Sequence, residues 1–206
     1  MIVIPLTAGT YQYVASSQGA QVGKTTVVVT RNGDGTTTIT EDGAGTYQGM
    51  AGSAKATLSL APDLTPTAYG STIDVAGSQI TPSAAFTPTG ATMMGGISEG
   101  SATLAAGHRF VVIDGGLLDG FIALPAQVAA WPGATIDLLA PVYGRSAEFG
   151  ITANAAPARP QGVPANDVAL SADAGNIPLV EWYDPATMIV DRIDIPGQGL
   201  SVVRQR

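Results

Sequence analysis

Two runs of β-branched residues meet at a turn built from the residues that best tolerate positive φ. Gln21-Val22-Gly23-Lys24-Thr25-Thr26-Val27-Val28-Val29-Thr30-Arg31 leads into Asn32-Gly33-Asp34-Gly35, and Thr36-Thr37-Thr38-Ile39-Thr40-Glu41 leads out. Branched side chains are stiff at χ1 and favour pleated backbone, and Asn-Gly or Asp-Gly between two such runs is a strong hairpin signal. The expected connection is a type I′ turn. An antiparallel hairpin here commits the N-terminal part of the chain to sheet, and the rest has to be compatible with it.

The remaining pattern continues that sheet. Gly9–Val14 reads as a first strand, and Ala54, Ala56, Leu58 and Leu60 alternate with Lys55, Thr57 and Ser59, a period of two that buries one face. Further strands are expected at 67–75, 79–86, 108–113, 134–139, 147–153, 167–171, 178–183, 188–195 and 200–204, the last three separated by Asp184-Pro185-Ala186-Thr187 and Pro196-Gly197-Gln198-Gly199. One stretch has helical spacing: Leu117, Leu118, Phe121, Leu124, Val128 and Trp131, closed by Pro132-Gly133, with Pro125 expected to kink or split it. The Pro-rich segment 155–164 reads as an exposed loop. With 26 Gly and 14 Pro dispersed without a period, the 206 residues call for many turns and no fibrous repeat. The expected architecture is a single β-rich domain over 1–206: all-β with one helix, a curved antiparallel meander sheet or partly open barrel plugged by a short helix.

Charge and residue inventory exclude several functions. Nine Lys plus Arg stand against sixteen Asp plus Glu, a net charge of -7, which leaves no basic footprint for nucleic acid and no polybasic patch for an anionic membrane. No run of about 18 apolar residues is present, so no transmembrane segment is expected. Without Cys there is no disulfide framework, thiolate metal site or cysteine nucleophile, and the lone His108 precludes a multi-histidine centre. No metal and no cofactor is expected. Met1-Ile2-Val3-Ile4-Pro5-Leu6 has no basic n-region, so the chain as written carries no export signal.

Several short motifs touch on catalysis. Gly96-Ile97-Ser98-Glu99-Gly100 matches the nucleophile elbow of serine hydrolases, in which glycines admit a strained strand-to-helix turn; no buried strand precedes it here, and a Gly-rich loop accounts for the same residues. The hydrolase reading assigns Ser98 or Ser101 as nucleophile and His108 as base, with Asp114 or Asp119 orienting the imidazole. Gly19–Thr25 is one residue short of a phosphate-binding loop and runs into a strand, where such a loop needs a helix. Asp34, Glu41 and Asp42 carry oxygen ligands for a surface calcium ion, without the EF-hand spacing. Val111-Val112-Ile113-Asp114-Gly115-Gly116 lacks the hydroxyl that follows the aspartate of dimeric aspartic proteases. A strand-ending Asp114 that caps the following helix is the simpler reading.

The order of features resembles a group of bacterial exported proteins of unknown function. The residues concerned are the Gly9-Thr10-Tyr11 strand, Leu58-Ser59-Leu60-Ala61-Pro62-Asp63-Leu64-Thr65-Pro66, Phe110-Val111-Val112-Ile113-Asp114 and Val180-Glu181-Trp182-Tyr183-Asp184. Those proteins are similar to lipoprotein carriers, in which a curved antiparallel sheet wraps an apolar cavity. The chain departs from them at Gly115, Gly116 and Gly120, where the group carries asparagines and a histidine. The resemblance implies a periplasmic or secreted location and an apolar ligand or envelope partner.

The functional expectation is therefore non-catalytic binding of a hydrophobic small molecule, a lipid or an envelope partner in the concave face. Phe110, Leu117, Leu118, Phe121, Leu124 and Trp131, with Leu58 and Leu60, are the expected lining, although the same side chains would equally fill a closed core. The competing readings are the serine hydrolase and a structural or oligomeric surface module that joins through its sheet edges.

Overall fold

The computed structural model describes residues 6–47, 50–114, 117–152, 157–174 and 177–206. The hairpin lies where the sequence puts it, as β2 (Ala20–Arg31) and β3 (Thr37–Tyr47). Its turn is not type I′. The Gly35 amide donates to the Asn32 carbonyl, and in this turn only Gly35 takes a positive φ, at 86°. This is a type I turn followed by a left-handed glycine, the usual longer hairpin connection. Asp34 stabilises it by accepting from the amide and hydroxyl of Thr36 at 2.9 and 2.7 Å.

The meander runs outward from this hairpin in both directions. On one side β4 (Met50–Leu60), β5 (Pro66–Val75), β7 (Ser83–Thr87), β8 (Gly90–Met94) and β9 (Gly100–Thr103) follow in chain order, with a short β6 (Ser78–Ile80) also on β5. On the other, β1 (Gly9–Ser17) pairs with the C-terminal β16 (Leu200–Gln205). Beyond it come β15 (Ile189–Ile195), β14 (Pro178–Asp184), β13 (Val168–Ala174), β12 (Arg145–Thr152), β11 (Thr135–Ala140) and β10 (His108–Val112). The result is one large curved sheet, not closed into a barrel: its two ends, β9 and β10, are consecutive in sequence and do not pair. β8 and β9 were not expected as strands. Gly90-Ala91-Thr92 and Gly100-Ser101-Ala102 carry little intrinsic β preference, and pairing with the neighbouring strand holds them.

A single helix, α1 (Asp119–Ala130), connects β10 to β11 and packs against β3, β4, β10 and β15, so it lies inside the curve. A helical crossover returns the chain in the same direction, and β10–β11 is accordingly the parallel pair in an otherwise antiparallel sheet. Pro125 does not split α1, which runs unbroken through it. Strand alternation fills the interior. Val29, Ile39, Leu58 and Tyr69 form one inward row across β2 to β5, and Val202 and Ile193 continue the inner face on β16 and β15. Each such side chain contributes about 1.5–3 kcal/mol of burial. At one end of the sheet the inward row is Ala15, Gly23, Gly45 and Gly52, small residues that let the strands bend toward one another.

The helix enters this space through a very narrow passage. A Cβ built on Gly120 would lie 1.7 Å from the carbonyl oxygen of Val112, so only glycine allows the first turn of α1 to pass the end of β10. The departure from the resembled group at position 120 thus has a steric cause in this chain. Gly120→Ala is expected to lower stability by roughly 1–3 kcal/mol or more, through forced displacement of α1. Thermal unfolding of the variant checks this, and an unchanged Tm would mean that β10 and α1 can part without loss.

Candidate functional site

Glu41 is the unexpected resident of the interior. In β3 it has the same inward parity as Ile39, in a row between Val27 and Ala56. Its carboxylate accepts from the amides of Leu118 and Asp119 at 2.6 and 3.1 Å, capping α1 from a strand 77 residues away in sequence. Two otherwise unpaired amides at the positive end of the helix dipole meet a carboxyl oxygen there. Asp114 therefore does not cap the helix. Its two oxygens accept instead from the amide of Val142 at 2.7 Å and the hydroxyl of Tyr69 at 2.8 Å, tying the end of β10 to β5 and to the short 3₁₀ turn Pro141–Tyr143 after β11. Asp119 takes the amide of Gly120 on one oxygen, and its other oxygen is buried without a hydrogen-bond partner.

Three carboxyl groups and a phenol thus converge at the N-terminus of α1. Burial pushes Asp114 up to about 6, against its two hydrogen bonds. Burial and then the neighbouring Asp119 push Glu41 well above the carboxylate range, and burial and the nearby Asp114 do the same to Asp119. Burial also raises the Tyr69 phenol, reinforced by the two aspartates.

A fourth buried acid stands on the inner face of the sheet. Glu181 of β14 lies between Leu170 and Ile193 on the inner face, fully buried, with neither oxygen hydrogen-bonded. Desolvation raises it well above the ordinary value. On α1, Gln127 donates to the carbonyl of Leu64 at 3.0 Å while its own oxygen is buried without a partner.

The apolar residues expected to line the concave face are all buried in one continuous cluster with these groups: Leu58, Leu60, Phe110, Leu117, Leu118, Phe121, Leu124 and Trp131. Trp131 ends α1 and donates its indole N–H to the carbonyl of Asp63 at 2.8 Å, pinning the helix C-terminus to the β4–β5 connection. Trp182 points the opposite way from Glu181 and is covered by the Arg159 guanidinium, 5.0 Å above the ring.

The structure does not bring Ser98, His108 and Asp114 together. His108 pairs with Thr135 at the beginning of β11, and its Nδ1 lies 3.0 Å from Asp137. Ser98 is exposed in the bend before β9, its backbone against Gly144, which leads from the far end of β11 into β12. Five strand steps of about 3.3 Å separate the two ends, roughly 16 Å of β11. The carboxylate that orients His108 is Asp137, two residues from the start of a strand and unremarked in the sequence because alternation alone pairs it with the imidazole.

Asp34, Glu41 and Asp42 are likewise dispersed. Asp34 closes its turn, Glu41 caps the helix, and Asp42 faces Lys55 at 3.0 Å on the outside. Among the described residues no group of three or more acidic or histidine side chains is placed to hold a metal ion, and no helix is long and apolar enough to cross a membrane. Gly115 and Gly116 lie outside the described residues.

The fold has solved relatives. The chain is similar to a β-barrel-like protein of a domain of unknown function, DUF1849, from Brucella abortus, with a TM-score of 0.58 and 9% identity over 98% of this chain and 96% of that one. It is also similar to a DUF1089 family protein from Pseudomonas aeruginosa, with a TM-score of 0.51 and 11% identity over 86% and 90%. These likenesses show the fold: a barrel-like curved sheet of the kind found in domains of unknown function. No family model and no curated protein matches the chain.

The raised Asp114 has a signed consequence. The folded protein holds a proton that the unfolded chain releases near 3.8, so the stability contributed by this group is complete below that pH and is lost as pH rises to about 6. Glu41 and Asp119 are shifted in the same direction and carry the loss further upward. The Tm is expected to fall as pH rises across this window, and Asp114→Asn to flatten the slope. Thermal melts at stepped pH decide it; a Tm that climbs over the same range would mean that Asp114 is already ionised in the folded state.

Proposed function

We propose that this protein is a non-catalytic binding module of lipoprotein-carrier-like design. It takes an apolar small molecule or lipid against the concave face of its sheet, alongside or in place of α1. The observation that carries the reading is the combination of a continuous buried apolar cluster, in which α1 covers the concave face, with interior oxygens left without a hydrogen-bond partner: Asp119 Oδ2, Gln127 Oε1 and both oxygens of Glu181. A closed core tolerates few such atoms, each of which costs about 1–3 kcal/mol when buried without a partner. Asp119 and Gln127 are about 12 Å apart along α1, so a ligand with a hydroxyl or amine at one end and hydrocarbon along its length satisfies one of those oxygens and packs against Phe110, Leu117, Leu118, Phe121, Leu124 and Trp131. The seam between β9 and β10 is the proposed route of entry: no ladder hydrogen bonds cross it, and the backbone bond to release beside it is that of the Ile97 amide to the Val142 carbonyl, 2.7 Å. An envelope location follows from the same reading, since carriers of this design hand apolar cargo across an aqueous space.

Native purification, organic extraction and mass spectrometry test this. The expected result is an apolar compound in stoichiometric amount. An empty extract together with no saturable binding of a fluorescent fatty acid or lysolipid would overturn the reading, and capture of an envelope protein in place of lipid would redirect it to a protein partner.

Glu181→Leu provides an independent check. Replacing an unpartnered buried acid by a hydrocarbon of similar size is neutral or stabilising, by up to about 1–4 kcal/mol. The variant is expected to melt at a higher temperature and to bind the probe more weakly. A lower Tm would mean that Glu181 serves the fold and not a ligand.

A further inference from the structure

A hollow lies beside the start of β15 and the end of β16, lined by none of the residues at the N-terminus of α1. The loop 161–164 arches over the ends of β15 and β16 and encloses a space of about 220 Å³ with Asp191, Arg192, Val203, Arg204, Gln205 and Arg206. Three of the nine basic residues in a chain of net charge -7 line this one space, against a single lining acid. Asp194 pairs with Arg192, Asp191 with Arg204 and Arg206, and Asp167 adjoins Asp191, so the hollow is close to charge balance and its attraction for an anion comes from the guanidinium N–H donors that these carboxyl groups leave free.

The arginines are held in place. A bulge in β15 opposite Trp182 and Tyr183 inserts Asp191 as an extra residue, and its buried carboxylate engages Arg204 Nε and Arg206 Nη2. One carboxylate therefore positions two guanidiniums and takes one nitrogen from each, while a guanidinium offers five N–H donors. Residues 204 and 206 share a face of the extended backbone, so the two forks project side by side. Arg204 is braced further by the Tyr11 ring, 5.8 Å from its Cζ. Arg192 is fixed by both oxygens of Asp194, at 2.9 and 2.8 Å. The roof is fixed as well. Arg159 donates to the carbonyls of Pro164 and Asp167, and its guanidinium rests on Trp182. Asp167 stands beside Asp191, and burial together with that neighbour raises it to about 6, so it is still mostly ionised at neutral pH and competes with Asp191 for the Arg206 guanidinium.

We infer that this hollow is a binding site for a compact phosphate-type oxyanion, straddled by Arg204 and Arg206 with Arg192 alongside. Paired guanidinium forks match phosphate oxygens two at a time, and the space admits a phosphate with a small organic substituent. The site is independent of the apolar ligand proposed for the concave face and survives if that reading fails. The phosphate belongs either to a soluble monoester or to a phospholipid head group, which share the recognised chemistry.

Titration calorimetry with inorganic phosphate and with glycerol phosphate, and flotation with vesicles of phosphatidylcholine with and without phosphatidic acid, test it on the full chain. Saturable one-site binding that persists at about 0.15 M salt is expected, because a formed site is screened less than a diffuse surface charge. Arg206→Gln, at an exposed side chain, is expected to weaken binding about tenfold with an unchanged melt, and Arg192→Gln to weaken it in the same direction. Binding of the soluble monoester alone assigns a free phosphate ligand, and binding of phosphatidic acid vesicles alone assigns a head group. No binding of any of these probes, loss of binding at 0.15 M salt, or equal affinity in wild type and Arg206→Gln would overturn the site.

Discussion

The carboxylate of Glu41 against the first amides of α1 is the contact on which the interior depends. A helix placed inside a curved sheet brings unpaired N–H groups into a dry space, where water is not available to satisfy them. The chain has no local cap for this helix: Leu118 holds the cap position and makes no side-chain bond there. The acceptor comes from β3, and it arrives in position because Glu41 shares the inward parity of Ile39. Helix orientation, the course of β10 into α1 and the meeting of Glu41, Asp114 and Asp119 all follow from that one long-range cap. Gly120 is its steric counterpart, since the cap forms only if the first turn passes the Val112 carbonyl.

The same arrangement gives the interior its chemical character. A sheet closed into a barrel around aliphatic side chains would have no use for carboxyl groups. Here Glu41, Asp114, Asp119 and Glu181 are all buried, and their proton affinities are raised chiefly by desolvation. Some of these groups have defined structural partners: Asp114 joins β10, β5 and the turn after β11, and Glu41 caps α1. Glu181 has none. Acids that hold elements together and an acid without a hydrogen-bond partner occupy the same apolar space.

The β character was legible from particular residues. Val27-Val28-Val29 with the Asn-Gly-Asp-Gly turn, and the Ala54-to-Leu60 alternation, are local signals whose period sets the backbone and the buried face together. The helix was legible for the same reason, and its expected span of 117–131 encloses the observed Asp119–Ala130. The site was much less legible. Glu41 was read as a surface oxygen because the Thr-rich run around it obscures which parity faces inward. Asp114 was read as a local cap because a strand-ending aspartate before a helix usually is one. The oxyanion hollow draws on Asp191, Arg192, Arg204 and Arg206, with a loop from the 160s, and no local spacing links these segments.

By itself the sequence determined the strand periodicity, the position of the helix and the net charge of -7, because each is a property of side-chain type and spacing alone. It determined also that Ser98 and His108 exist, and not that about 16 Å of β11 separates their neighbourhoods. The tertiary structure decided which strands meet, and so whether the sheet closes: β1 pairs with β16, while β9 and β10 remain apart. It decided too that acids from distant segments share one buried space and that three arginines share another. Those outcomes rest on strand register across the whole sheet, where a shift of one residue would turn Glu41 and Glu181 out to solvent.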